Sequence, residues 1–170
     1  MSKSLDFDTS LVTDMSYMFD KAFKFNGDIS KFNTAKITTM HSMFADANSF
    51  NNDISKFDTS KVVQMYGMFY SDKGSIFNSD ISKFDTSKVT NMGSMFMGAG
   101  MFNSNITNWD VSKVEVMSKM FRKSTKLKST CDDNWPFSSS FNVDISEWRT
   151  TELTDMNHMY QANNVFNVDM

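Results

Sequence analysis

The chain holds 170 residues, 40% of them hydrophobic, with 17 Lys and Arg against 20 Asp and Glu for a formal net charge of -3. That suffices for one sizeable core without requiring a second domain, and it leaves no positive field to collect phosphates, so nucleic acid is not an expected partner. The N-terminal MSKSLDFDTS lacks an apolar leader region and a lipidation cysteine, and no later stretch approaches the roughly 18 apolar residues of a membrane span, so direct membrane insertion is not expected.

From the N-terminus, a first repeat begins part-way, at Leu5 to Phe7, and sets Met15, Met18 and Phe19 in register 25 residues before Met40, Met43 and Phe44. The opening Phe-Asn-x-Asp-Ile-Ser then recurs at Phe25, Phe50, Phe77 and Phe141, with a variant at Phe102 and a truncated copy at Phe166, at spacings of 25, 27, 25, 39 and 25. Each opening leads to an aromatic (Phe32, Phe57, Phe84, Trp109, Trp148), a polar Thr/Ser/Lys stretch, and a Val/Ile/Leu-x-x-Met-x-x-Met-Phe/Tyr stripe. The stripe spacing of i, i+3, i+6, i+7 fits one face of a short amphipathic helix. The β-branched Ile29, Ile54, Ile81, Ile106 and Ile145 suit a very short strand in each opening, stacked as a parallel ladder.

One unit of this size cannot bury its own Phe, Ile and Met, so the units must share a continuous core. The expected fold is an α/β solenoid: a stack of about six 25-residue repeats, each a very short strand plus a short helix. Full helices would make the stack curve, because helices are wider than the strand spacing. Residues 1–170 form a single repeat domain with incomplete repeats at both ends (1–24 and 166–170) and a 14-residue insertion within 122–140. A smaller insertion, Asp72 to Ser75, reads as a widened turn.

The stretches FNNDISKFDTSKVVQMYGMF (Phe50 to Phe69) and FNSDISKFDTSKVTNMGSMF (Phe77 to Phe96) resemble the repeat of BspA-like leucine-rich-repeat surface proteins, the mycoplasma lipoprotein-type repeat of unknown function. The resemblance covers essentially the whole chain. It implies a leucine-rich-repeat-like solenoid, a cell-surface or secreted location, and adhesion or host-protein binding.

Several columns bear on chemistry. Met15, Met18, Met40, Met43, Met65, Met68, Met92, Met95, Met117, Met120, Met156 and Met159 could be read as soft-metal ligands in M-x-x-M pairs, but they fall on the apolar stripe, where an adaptable side chain fills gaps. Asn26, Asn51, Asn78, Asn103, Asn142 and Asn167 suggest a side-chain ladder that satisfies successive backbones. The Asp row (Asp28, Asp53, Asp80, Asp144, Asp169), interrupted by Asn105, supplies one carboxylate per repeat, which favours turn formation or pairing with Lys31, Lys56 and Lys83 over calcium ligation. Thr34, Thr59, Thr86 and Thr150, with Ser10, Ser60, Ser87 and Ser112 in an adjoining column, raise ice binding. Lys36, Lys61, Lys88 and Lys113 break that face with charge.

His41 and His158 occupy matching off-stripe positions in distant repeats, and no catalytic set, phosphate loop, zinc spacing or cofactor motif occurs, so an enzyme is not expected. The single Cys131 excludes an internal disulfide framework. The most individual segment is the insertion, with Arg122, Lys123, Lys126, Lys128, Trp135 and Phe137 as candidate partner contacts, or alternatively a self-packed loop. The expected function is a non-catalytic, adhesion-type recognition module for a protein or glycan. The competing reading is a structural scaffold or linker, as a permanent subunit of a complex or part of a longer repeat chain.

Overall fold

The computed structural model describes residues 7–124 and 140–167. The described residues wind into coils at 7–24, 25–49, 50–76, 77–101, 102–124 and 141–165, and Phe166 opens another. Five parallel single-residue bridges join them along one line: Asp14 to Thr39, Thr39 to Gln64, Gln64 to Asn91, Asn91 to Val116 and Val116 to Asp155.

Among the described residues there is no helix, which overturns the expected strand-plus-helix α/β solenoid. The stripe is a run of overlapping turns instead. In the first coil Met18 N–H donates to the Met15 carbonyl, Asp20 to Tyr17 and Ala22 to Phe19. Tyr17 and Lys21 stand at φ 59° and 57°, the left-handed value that a type II turn needs at its third position. The same column holds Ser42, Gly67, Ser94, Lys119 and His158, all at positive φ. A residue of this hand in every such turn breaks a right-handed helix. The amides of Met15, Tyr17, Phe19 and Lys21 leave the coil altogether and donate to the carbonyls of Thr39, His41, Met43 and Ala45 in the next. Met-x-x-Met-Phe spacing brings the same side chains inward in either conformation, so periodicity alone does not separate a helix from this turn run. A helical segment this short also gains little by itself, whereas four bonds to the neighbouring coil satisfy its backbone.

The expected strand position is corrected as well. The bridges fall just before the first Met of each stripe, and Ile29, Ile54, Ile81, Ile106 and Ile145 lie in none of them. These isoleucines are buried in the core, where Ile29 opens a turn closed by Phe32. The condition for a helix-driven curve therefore does not arise.

Two columns of rings fill the core. Phe25, Phe50, Phe77, Phe102, Phe141 and Phe166 stack with centroids 5.8–6.2 Å apart. Phe19, Phe44, Phe69, Phe96, Phe121 and Tyr160 stack at 5.4–5.8 Å. The two columns meet face to face where one coil passes into the next, as in Phe69 on Phe77 at 3.8 Å. Both methionines of the stripe are fully buried in the second to fourth coils. Trp109 and Trp148 turn their indole N–H to the carbonyls of Ile81 and Ile106, one coil back, so the larger ring enters the core with its polar atom satisfied.

Candidate binding groove

The polar columns are occupied by structural work. Asn26 Oδ1 accepts the Asn51 N–H at 2.9 Å, Asn51 accepts from Asn78, Asn78 from Asn103, Asn103 from Asn142 and Asn142 from Asn167. Asp28, Asp53, Asp80 and Asp144 each accept the N–H of the serine two residues on, and Asn105 does the same for Thr107. Asp58, Asp85 and Asp110 repeat the motif further along the coil. These donors hold the carboxyls below the ordinary 3.8. For Asp53, Asp58, Asp80, Asp85 and Asp110 the serine hydroxyl contributes most and its N–H next; for Asp28 and Asp144 the order is reversed. Among the described residues no three His, Cys, Asp or Glu converge as a metal site.

Thr34, Thr59 and Thr86 are buried rather than displayed. The Thr59 and Thr86 hydroxyls donate to the carbonyls of Asp85 and Asp110 in the following coil, and Thr34 accepts the Asp58 N–H. Ser10, Ser60, Ser87 and Ser112 take the N–H side of the aspartate turns.

The face that is not occupied this way is the outer side of the turn run. There an open groove of about 480 Å³ runs across the coils. Tyr17, His41 and Tyr66 stand at one end: Tyr17 Oη lies 2.8 Å from His41 Nε2, and the His41 ring lies 4.9 Å from the ring of Tyr17 and 5.1 Å from that of Tyr66. The floor is made of small residues, Ser42, Ala45, Gly67 and Ser94. Tyr70 donates to the Asp72 carboxylate, and Asp46 accepts the Asp72 N–H at 2.8 Å. Burial, and then the Asp72 hydrogen bond, push the Tyr70 phenol far above its ordinary value, so it remains a donor. Lys119 and Arg122 close the far end, and the buried Arg122 Nε has no hydrogen-bond partner among the described residues.

Of the insertion residues singled out from sequence, Arg122 lies in this groove, and Lys123 is half-buried with its N–H donated to the Gln161 carbonyl. Lys126, Lys128, Trp135 and Phe137 lie outside the described residues. The two histidines are not in matching positions: His41 immediately follows its stripe Met40, whereas His158 is second after Met156 and shares the positive-φ column of Tyr17 and Ser42. Sequence reasoning did not single out Tyr17, Tyr66, Tyr70 or Lys119. Their signal is an inverse one, since they occupy the off-stripe positions whose residue type changes from coil to coil: Ser16, His41, Tyr66, Gly93, Ser118 and Asn157 in one column, Tyr17, Ser42, Gly67, Ser94, Lys119 and His158 in the next, and Asp20, Ala45, Tyr70, Met97, Arg122 and Gln161 in a third.

No curated protein and no solved structure matches the chain. A protein-family profile matches residues 2–74 and again residues 72–140. With the repeat thus recognised twice over most of its length, the chain belongs to the family described as "Mycoplasma protein of unknown function, DUF285".

Proposed function

We propose that the chain is a non-catalytic recognition module that takes a segment of a partner protein in the groove across its turn run. The observation that supports this reading is the contrast between faces. The Phe, Met, Asn and Asp columns repeat their residue type and serve the packing and turns of the stack, while the groove columns change at nearly every coil and leave Tyr17 and Tyr66 exposed at its rim. A row of identical residues serves stacking; a row of different residues offers one particular surface. The groove joins aromatic bodies at Tyr17 and Tyr66, small residues that let a backbone approach, and cations at Lys119 and Arg122. Aromatic and arginine anchors of this kind dominate interface energies. The likeness of the repeat to BspA-like surface proteins agrees with a binding role.

A photo-crosslinking residue placed at Tyr66 in the cells that make the protein tests the proposal, with the same residue at the exposed Lys56 as control. A discrete crosslinked species from position 66, absent from position 56 and lost on Lys119→Ser with Arg122→Ser, is expected. Equal labelling from both positions, or none from 66, would overturn the groove as the binding face.

A further inference from the structure

We propose that the groove is built for an extended segment of about six residues whose carboxylate is received by Lys119 and Arg122. The inference rests on the recognition reading and names the chemistry of its partner. It starts from the floor. Tyr17, Ser42, Gly67, Ser94 and Lys119, all at positive φ in five successive coils, stand in one line along the groove. The parallel bridges set neighbouring coils about 4.8 Å apart, so the line measures roughly 19 Å from Tyr17 to Lys119, the reach of about six extended residues.

Between its ends the floor carries two hydroxyls. Ser42 and Ser94 are 8% and 5% exposed, and their hydroxyls have no hydrogen-bond partner among the described residues. Both residues line the groove, and Ser42 Oγ lies 3.0 Å from where a β-carbon on Gly67 would stand. A hydroxyl both donates and accepts. An extended chain laid along this floor has N–H and C=O groups free to pair with it, whereas a helix has spent most of its own. Gly67, with no side chain, lets that backbone come close.

Charge sets the direction. The acids of the groove are engaged by the chain itself: Asp20 lies 3.8 Å from Lys21, Asp46 accepts the Asp72 N–H, and Asp72 accepts from Tyr70. The cations of the fifth coil are not. Among the described residues Lys119 and Arg122 form no ion pair, and the buried Arg122 Nε has no partner. A guanidinium held partly out of water without an acceptor is costly, and a carboxylate supplies the charge-assisted hydrogen bonds it lacks. At the opposite end Tyr17 and Tyr66 flank His41 with exposed ring surface that suits an apolar side chain. The segment therefore runs from an apolar residue at Tyr17 to a carboxylate at Lys119.

Selection of soluble hexapeptide libraries on the 170-residue chain is the test, one library with amidated C-termini and one with free acids. Enrichment of Asp or Glu at one end and an apolar residue at the other in the amidated library is expected for a side-chain carboxylate. Enrichment confined to the free-acid library would assign the carboxylate to a chain terminus. Lys119→Glu should weaken the selected peptides by about tenfold and turn the preference at that end to Lys or Arg. Lys119→Gln, which removes the charge without reversing it, should give a smaller loss. Ser42→Ala with Ser94→Ala should weaken acidic and neutral peptides alike, with an unchanged thermal melt. Selected peptides without an acidic preference, acidic peptides whose binding ignores Lys119→Glu, or a selection that yields no peptide would each overturn the proposal. In those cases a crosslink from position 66 would still stand for the recognition reading, whereas loss of that crosslink would overturn both.

Discussion

A methyl group on Gly98 would lie 1.9 Å from the carbonyl oxygen of Ser71, one coil back, and Gly98 itself stands at φ 74°. The coil before it uses this glycine as the only way to bring two backbones that close. Gly98→Ala must both adopt a left-handed φ and push the Ser71 carbonyl away, at a combined cost of about 2–4 kcal/mol. Chemical denaturation should show that loss; a variant within experimental error of the wild type would show that the 71–75 turn moves aside freely.

Met68 is fully buried between its neighbours Met43 and Met95 in the same column. Met68→Asp places a carboxylate there without a partner, and a loss above about 4 kcal/mol is expected, enough to unfold the array. Met68→Ala leaves only a cavity and should cost about 2–5 kcal/mol with the fold retained. If circular dichroism melts of the Asp variant matched the wild type, the coil-on-coil core would be refuted.

Asn51 stands in the middle of the amide ladder, accepting the Asn78 N–H and the Ser79 hydroxyl. Its side chain is exposed, so Asn51→Ala opens the site to water rather than stranding a buried group, and the loss should be about 0.5–1.5 kcal/mol. Hydrogen exchange offers the sharper check: the amide of Asn78 should exchange faster while that of Asn167, at the far end of the ladder, is unchanged.

Acid should weaken the stack through its aspartate turns. Asp53, Asp80 and Asp85 titrate below 3.8 in the folded chain, chiefly through serine hydroxyls and then serine amides. The folded state therefore binds fewer protons than the unfolded one. Their stabilisation is complete above about pH 5 and is lost as pH falls through and below 3.8. Each group is well exposed, so the effect of any one is small and only the row is visible. Urea midpoints measured from pH 7 to pH 2 should be flat and then fall. Asp53→Asn with Asp80→Asn should shallow the fall while keeping the turns, since Asn105 already makes the same turn with Thr107.

The sequence by itself determined the repeat, its register, the interruptions after Asp72 and Phe121, and which columns are apolar, because a 25-residue period forces equivalent residues to meet in successive coils whatever the local backbone does. Only the tertiary structure decided that backbone. Met-x-x-Met-Phe is compatible with a helix and with a run of turns, and the choice fell to hydrogen bonds that leave Met15, Tyr17, Phe19 and Lys21 for a coil 24 residues away. No local propensity carries that information, and Tyr17, Ser42 and Lys119 at positive φ run against it. The groove was hidden for the same reason: on a helix Tyr17, His41 and Tyr66 would be three scattered polar-face residues, whereas the turn run aligns them on one edge.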